Sequence, residues 1–271
     1  MYCFTNGLDL LAIGSWDMCR CNRIKIIFLA LLFIAITIDL FSQFKADQMR
    51  YQRVRTAYTE YEKEVSEILA NKGLERESVR VYIRSFKDEG LMEFWAKDKN
   101  HETYQLIYTF NICQKSGAIG PKRKQGDYQV PEGYYHIDRF NPSSSYYLSL
   151  GLNYPNKSDR VFSDKARPGG DIFIHGECVT IGCMPMTNPL IKQIYLLCIE
   201  AREAGQQSIP VTVFPMKMNN TNYQALLSSS THSENDKNLW RDLKLGYDLF
   251  NTHKQLPSIG FLDNGRHAVS K

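Results

Sequence analysis

The stretch "DIFIHGECVTIGCMPMTN", residues 171–188, joins a β-rich run to the start of a helical pattern. It carries one histidine and two cysteines within nine positions, His175, Cys178 and Cys183. Three kinds of site use such residues: a zinc centre, a disulfide, and a cysteine nucleophile with an imidazole base. Each kind predicts a different chemistry, so the rest of the sequence has to separate them.

The composition predicts a folded chain with no nucleic-acid partner. Of the 271 residues, 43% are hydrophobic and 12% aromatic, which is enough apolar material for a sizeable core. The formal net charge of +4 is spread along the chain, and the largest basic block is the three residues 122–124. A mild and scattered positive charge does not indicate nucleic-acid binding.

The N-terminal region predicts export. Arg20, Arg23 and Lys25 precede an unbroken apolar run, Ile26–Ile38. Thirteen residues suit the hydrophobic region of a signal peptide and fall short of the roughly 20 residues that span a bilayer. We therefore expect residues 1–43 to be a signal peptide or, alternatively, an N-terminal membrane anchor. The protein would then act in the periplasm or cell envelope and contact the membrane only through this segment.

Hydrophobic periodicity predicts an α+β fold. Residues 44–78 contain a three-and-four apolar pattern from Ala46 to Lys72, which is typical of an amphipathic helix. Three β-rich runs with short polar breaks follow and predict an antiparallel meander: Val79–Phe86, Gly90–Lys97 and Thr103–Cys113.

The second half of the chain alternates loops, strands and helices. Residues 116–170 are dense in Gly, Pro, Asn and Ser, and such long loops often build binding sites. Further elements are predicted after them: a strand ending at His175, a helix from Thr187 or Asn188 to Gly205, a strand Ile209–Met216 and a helix Ser233–Leu256. We expect a catalytic domain over 79–216 and a helical extension over 217–271.

Two of the three kinds of site are weakly supported. His175, Cys178 and Cys183 could supply three zinc ligands, but no fourth ligand and no Cys-x-x-Cys pair accompany them, so no metal is expected. A disulfide between Cys178 and Cys183 across the short loop remains open, as does simple packing of both side chains. Cys113 and Cys198 lie in apolar periodic contexts, which predicts buried, inert thiols.

A cysteine nucleophile accounts for more of the pattern. A thiol needs a neighbouring imidazole to take its proton, and a third polar group to hold that imidazole in one tautomer. The predicted strand delivers His175 at its end, and Cys183 stands just before the predicted helix. Gly182 permits a tight turn whose backbone N–H groups could face an oxyanion. Thr180 offers a hydroxyl or carbonyl group to orient His175.

These residues resemble the L,D-transpeptidase catalytic domain family. The family signature joins His-Gly at a strand end to [Ser/Thr]-x-Gly-Cys, which here are His175–Gly176 and Thr180–Cys183. The likeness is strongest to the murein L,D-transpeptidases with short spacing between the two motifs. It is carried almost continuously from Gly120 to Thr187 by "GPKRKQGDYQVPEGYYHI", "FNPSSSYYLSLGLNYPN" and "GGDIFIHGECVTIGCMPMT".

The resemblance implies a fold and a reaction. The fold would be a mostly antiparallel, β-sandwich or barrel-like domain with flanking N- and C-terminal helices. Cys183 would attack the carbonyl at the L-centre of the third residue of a peptidoglycan stem peptide, with His175 as base and then acid. An amine or water would resolve the acyl-enzyme, and no cofactor is required. Many members have a histidine where this chain has Ile181, so substrate contacts are expected to differ.

Other residues are candidates for substrate binding. Arg160 could hold a stem-peptide carboxylate bidentately. Tyr147, Asn153 and Tyr154 could line the groove, and Gly176 belongs to the His-Gly motif.

The sequence leaves three functions open for this site. The first is L,D-transpeptidase cross-linking or remodelling of the cell wall. The second is hydrolysis of the same diaminopimelate L-centre bond, as an L,D-carboxypeptidase or as an amidase that releases a wall-linked protein. The third is a non-catalytic peptidoglycan-binding module.

Overall fold

An eight-stranded sheet forms the centre of the protein in a computed structural model, which describes residues 43–271. The order across the sheet is β3-β2-β1-β8-β4-β5-β6-β7. Its strands are β1 Arg80–Phe86, β2 Leu91–Lys97, β3 Gln105–Asn111, β4 Gly133–Asn141, β5 Ser149–Leu152, β6 Phe173–His175, β7 Met184–Pro185 and β8 Ile209–Phe214. Neighbouring strands are antiparallel except for the pairs β1–β8 and β6–β7. The predicted meander of β1, β2 and β3 is confirmed.

The sheet curls so that its two edge strands meet. The backbone N–H of Cys113, just after β3, donates to the carbonyl of Pro185 in β7 at 3.0 Å. A disulfide joins Cys113 to Cys178, which precedes β7. Pairing or covering an edge strand removes the exposed backbone groups that an open sheet presents. The fold is therefore α+β with a mostly antiparallel, barrel-like sheet, as predicted.

Two helices cover one face of the sheet. They are α1, Gln52–Asn71, and α3, Asn188–Glu203. The two helices contact each other, and α3 also contacts β1, β5 and β8. Fully buried side chains on both, such as Val54 and Ile194, belong to the main core. Burying a side chain of this size stabilises the fold by about 1.5–3 kcal/mol.

The leading helix differs from its prediction at one point. A single helix was expected from Ala46 to Lys72, but residues 43–49 form a separate helical segment. Tyr51 has an extended backbone, with φ −91° and ψ 130°, and α1 begins after it. The helix ends as predicted before Gly73, whose φ of +67° is left-handed.

A buried carboxylate ties this face together. Glu200 of α3 accepts hydrogen bonds from Arg76 (2.7 and 2.8 Å), Lys45 (2.9 Å) and Tyr58 (2.6 Å). Arg76 lies in a short 3-10 turn, Arg76–Ser78, between α1 and β1. Burial raises the pKa of Glu200, but these donors outweigh it and hold the pKa at about 2. We call Lys45, Tyr58, Arg76 and Glu200 the Glu200 cluster.

The C-terminal segment is only partly the helical extension that was predicted. It contains α4, Asn220–Ser228, and α5, Glu234–His253, whose Trp240 and Leu243 pack with Phe86 and Phe214. The predicted helix from Ser233 is confirmed, with Ser233 and Asp236 forming a capping box. The chain then forms an antiparallel hairpin, β9 Ser258–Phe261 with β10 His267–Ser270. The sequence analysis does not predict this hairpin, although Asn264–Gly265 is a dipeptide that favours hairpin turns.

The predicted signal peptide or anchor lies outside the described residues, as does the apolar run Ile26–Ile38. Within residues 43–271, no helix is both long and apolar enough to cross a membrane. Residues 44–271 form one compact unit, so the leading helix and the C-terminal segment pack on the same body as the sheet.

Candidate active site

His175 and Cys183 lie on neighbouring strands at one edge of the sheet. In the parallel pair β6–β7, Ile174 is opposite Met184 and His175 is opposite Pro185. Cys183 stands two positions before Pro185. With strands about 4.8 Å apart and a rise of about 3.3 Å per residue, the Cα atoms of Cys183 and His175 are roughly 8 Å apart. The short spacing in sequence therefore becomes proximity in space.

The imidazole of His175 is held in its neutral form. Its Nδ1 lies 2.6 Å from the carbonyl oxygen of Gly176. A carbonyl only accepts, so Nδ1 carries the proton and Nε2 keeps a free lone pair. The ring is 2% exposed, and the ring of Tyr146 lies over it with 4.6 Å between centroids. Burial lowers the pKa of His175 below its ordinary value of 6.5, so the ring is neutral at pH 7.

The structure places Thr180 differently from its prediction. The Thr180 hydroxyl accepts from the backbone N–H of Cys183 (2.8 Å) and of Gly182 (3.2 Å), and donates to the Cys183 carbonyl (2.9 Å). Its hydroxyl therefore closes the turn before Cys183, while the Gly176 carbonyl orients His175. The same bonds occupy both backbone N–H groups that were expected to face an oxyanion. The sequence could not reveal this, because His175 and Cys183 both lie within five positions of Thr180 and either could be its partner.

Gly182 supplies the turn that was predicted for it. Its φ is +137°, and a Cβ there would lie 3.0 Å from the carbonyl oxygen of Gln129. Both facts require glycine, since an L side chain would be strained and crowded. The prediction that Cys183 directly precedes a helix is wrong: Cys183 leads into β7, and α3 begins only at Asn188.

The sulfur of Cys183 is half-buried and free. It accepts a hydrogen bond from the Phe173 N–H (3.4 Å), and its thiol donates to the Asp171 carbonyl (3.5 Å). Burial raises the pKa of this thiol, and the Phe173 N–H offsets part of that effect. In the described part of the chain, the thiol and the imidazole are not hydrogen-bonded to each other. Such bonds are often long in ligand-free enzymes and tighten when substrate binds.

A cleft of about 550 Å³ opens onto Cys183. One wall comes from residues 122–128, another from 166–172, and Ile181 and Gly182 complete it. Ile181 is 75% exposed at this opening. The Lys122 amine is buried and donates to Asp127 Oδ1 (2.6 Å) and to the Lys124 carbonyl (2.9 Å). The ion pair makes Lys122 part of the wall.

The predicted substrate-binding residues are not gathered in this cleft. Arg160 lies on a short helix, α2 Lys157–Phe162, with an exposed side chain, and is not among the described residues that line the cleft. Asn153 accepts from the His136 N–H (2.8 Å) and lines a different cavity of about 340 Å³. Tyr154 is buried, and its hydroxyl donates to the Pro168 carbonyl (3.1 Å) behind the cleft wall. Asn153 and Tyr154 are therefore structural in the observed conformation.

The remaining two candidates lie beside the base. Gly176 follows His175, and a Cβ on it would lie 2.5 Å from Asn188 Oδ1 and 2.8 Å from the Tyr146 carbonyl. Tyr147 has a left-handed backbone, with φ +69°, and its ring faces Arg53 and Lys192. Both residues support the geometry around His175.

Two residues near His175 were missed by sequence reasoning. Tyr146 covers the imidazole, and Arg53 of α1 holds the loop that carries it by donating to the carbonyls of Ser144 (2.5 Å) and Tyr147 (2.7 Å). The tyrosine pair was visible in the sequence, but its position over His175 depends on contacts between distant segments.

The disulfide corrects two predictions about cysteines. Cys113, expected to be an inert thiol, pairs with Cys178, so the Cys178–Cys183 bond that was left open is not formed. Cys198 is a buried free thiol, as predicted. Within residues 43–271, no group of three or more His, Cys, Asp or Glu side chains is arranged to hold a metal ion.

The fold and this site define a known class of protein. A family model for the L,D-transpeptidase catalytic domain matches residues 80–213. This range contains His175, Cys183 and the whole main sheet apart from Phe214, the last residue of β8. The chain belongs to the L,D-transpeptidase catalytic domain family, and the resemblance noted from its motifs is confirmed.

Similar proteins can be named. The chain is 38% identical over 193 residues to the Escherichia coli protein named "Putative L,D-transpeptidase YafK", from strains K12 and O157:H7. The alignment covers 70% of this chain and 74% of that protein. Among solved structures, it resembles the helical cell shape determining protein Pgp2 from Campylobacter jejuni (18% identity, 73% of this chain and 80% of that chain, TM-score 0.39). Bd1075 from Bdellovibrio bacteriovorus matches at 21% identity, 52% and 50% coverage and a TM-score of 0.36. These TM-scores are too low to transfer a function.

Proposed function

We propose that this protein is an exported cysteine acyltransferase that acts on peptidoglycan stem peptides as an L,D-transpeptidase. One observation carries the proposal: the free, half-buried thiol of Cys183 lies at a cleft, one strand away from a neutral imidazole with an available Nε2. Membership of the L,D-transpeptidase family supports the reaction class.

The protonation states determine how the reaction starts. Burial keeps Cys183 as a thiol and His175 as a neutral imidazole. The nucleophile is therefore formed by proton transfer from Sγ to Nε2 as the sulfur attacks the substrate carbonyl. The tetrahedral intermediate collapses when the C–N bond breaks and the imidazolium returns its proton to the leaving amine. A thioester remains on Cys183.

The second half of the reaction consumes the thioester. An acceptor amine, deprotonated by Nε2, attacks the same carbonyl, a new amide forms and the C–S bond breaks. Water attacking in place of the amine gives a free carboxylate, which is hydrolysis. If the acceptor amine reaches the thioester before water does, the protein acts as a transferase. If water reaches it first, the protein acts as a hydrolase or as an amidase that releases a wall-linked protein.

The cleft suits an extended, acidic peptide. Arg167 lines it with an exposed side chain, whereas Arg160 does not reach it. A guanidinium can bind a carboxylate through two parallel hydrogen bonds. We infer that Arg167 takes the role first assigned to Arg160 and binds a carboxylate of the stem peptide.

The Cys113–Cys178 disulfide supports the proposed export. Structural disulfides persist in oxidising compartments such as the periplasm and are rare in the cytosol. A thiol count on protein isolated from the cell envelope tests this. The described residues should then contain two free thiols, Cys183 and Cys198, whereas four free thiols would contradict the proposal.

Defined muropeptides test the reaction itself. Purified protein is incubated with tetrapeptide muropeptides, and the products are identified by mass. We expect cross-linked dimers from the wild type and none from Cys183→Ala, with an acyl adduct on Cys183 in the presence of a carbapenem. Shortened monomers would indicate the hydrolase. Neither products nor adduct would indicate a non-catalytic peptidoglycan-binding module.

A further inference from the structure

A second, smaller cavity lies against Cys183. It measures about 20 Å³, and Cys183 is the residue that it shares with the larger cleft. Its lining includes Ser85 of β1, Lys87, Ser116 and Val130. A volume of about 10–15 Å³ is enough for one water molecule. Cys183 therefore lies between the large cleft and a small cavity that has room for one water molecule.

Ser85 gives this cavity a polar wall. The residue is fully buried, and its hydroxyl has no hydrogen-bond partner among the residues that the structure describes. A buried hydroxyl without a partner is costly, and in folded proteins such groups usually bind ordered water. The Ser116 hydroxyl donates to the Tyr128 carbonyl (2.6 Å) and keeps its own acceptor capacity. Ser85, Ser116 and the Cys183 sulfur are thus three polar partners for one water.

The nearby lysine does not fill this role. The Lys87 amine donates to the carbonyls of Gly120 (2.7 Å) and Val130 (2.9 Å) and to Glu132 Oε1 (2.9 Å). An ammonium group has three donors, and these acceptors use all of them. Its charge is neutralised by Glu132, whose side chain is fully buried.

We propose that one water binds in this cavity between the Ser85 hydroxyl and the Cys183 sulfur, and that Ser85 is a positioning residue which stabilises the Cys183 thiolate through it. The proposal rests on the proposed role of Cys183 as nucleophile. The Ser85 hydroxyl either accepts a hydrogen bond from the water or donates one to its oxygen. In both cases the water donates a hydrogen bond to the sulfur. A hydrogen bond to a charged group is stronger than one to a neutral group, so the contact favours the anion that forms during attack.

Other ionisable groups also face Cys183 and must stay unchanged in the test. Those lining the two cavities or lying on the adjacent strand are Lys87, Lys115, Lys122, Tyr128, Arg167, Asp171 and His175. A change confined to Ser85 leaves all of them in place.

The pH dependence of Cys183 alkylation tests the proposal. The full chain is treated with iodoacetamide at a series of pH values, and peptide mapping by mass assigns the rate to Cys183. Ser85→Ala removes the hydroxyl, and Ser85→Val also fills the cavity. Ser163→Ala is the matched control, because Ser163 is another buried serine and does not line this cavity.

We expect the alkylation midpoint to rise by about one pH unit in both Ser85 variants, which is a roughly tenfold slower reaction below the midpoint. Ser163→Ala should keep the wild-type midpoint. Unshifted midpoints in the Ser85 variants, or an equal shift in Ser163→Ala, would overturn the proposal. If Ser85→Val fails to fold, Ser85→Ala decides alone. The readout needs no turnover, so a failure of the proposed function would be seen separately, with muropeptides.

Discussion

The Glu200 cluster and the segment 171–183 are built in opposite ways. Around Glu200, the helix α1, the helical segment before it and the turn after it each present one donor residue to the carboxylate, and each charge has a partner. The segment 171–183 instead contains two non-glycine residues with left-handed backbones, Asp171 (φ +54°) and Glu177 (φ +64°). Two more, Tyr128 and Tyr147, lie in the cleft and beside Tyr146.

The difference separates stability from function within one compact unit. A non-glycine residue in the left-handed region costs on the order of 1–3 kcal/mol and persists only where its surroundings enforce it. Within residues 43–271, four of the five such residues occur around His175 and Cys183, and the fifth is Lys254. Satisfied helical packing on one face thus offsets strain at the site, where backbone geometry aims the reacting groups. The predictions below test this division.

Removal of the disulfide should have the largest effect. Cys113 and Cys178 are 65 residues apart, and closing a loop of this length stabilises a fold by about 4 kcal/mol. In the variant Cys113→Ala/Cys178→Ala we expect that loss in chemical denaturation and a fall in muropeptide turnover, because the bond holds the loop between His175 and Cys183. Reductant should mimic the variant in the wild type and leave the variant unchanged. Full turnover by the reduced wild type would contradict this.

Glu200→Gln should reduce stability without reducing activity per folded molecule. Removing one partner of a buried ion pair costs about 3–5 kcal/mol, and we expect about 3 kcal/mol because Arg76 and Lys45 are partly exposed. Denaturation gives the free energy of unfolding, and turnover is normalised to active thiol. A parallel loss of normalised turnover would break the division between the two regions.

Gly182→Ala and Gly73→Ala form a matched pair. Both glycines have positive φ, +137° and +67°, so each substitution should cost about 1–3 kcal/mol. Only Gly182 adjoins Cys183 and approaches the Gln129 carbonyl, whereas a Cβ at Gly73 meets nothing within 4 Å. We expect a loss of turnover of at least about tenfold in Gly182→Ala alone, equivalent to about 1.4 kcal/mol in the barrier. Equal activity in the two variants would contradict the assigned role of the turn.

The smallest expected effect is a difference in pH dependence: activity, which depends on His175, and stability, which depends on Glu200, should fall at different acidic pH values. His175 acts as a base only when neutral, and burial lowers its pKa, so kcat/KM should fall as pH drops below 6.5 and not above it. Glu200 has a depressed pKa in the folded state. Its contribution to stability is therefore present above pH 4.5 and is lost as pH falls towards about 2. A pH–rate profile and unfolding at several pH values separate the two transitions, and an acid limb above pH 6.5 would refute the first.

Local patterns were sufficient to predict much of this protein. Periodicity indicated α1, α3, α5 and the meander, because the spacing of apolar residues follows the 3.6- and 2-residue repeats of the backbone. His175 and Cys183 were predicted as a pair because eight positions of chain keep them near each other. Gly182 was predicted as a turn because few other residues tolerate the backbone angles of such a turn.

The residues that complete the site depended on the tertiary structure. Cys113 meets Cys178, and Ser85 lies at the cavity beside Cys183, because the sheet curls until β3 and β7 join. Tyr146 covers His175 because β5 pairs with β6. The residues that adjoin a side chain in sequence do not indicate which distant segment will pack against it. The amino-acid sequence therefore determined the main helices and strands and the proximity of His175 and Cys183, through local backbone geometry. Strand pairing and closure of the sheet decided which side chains cover His175 and line the cavity beside Cys183, since those contacts form between segments far apart in the chain.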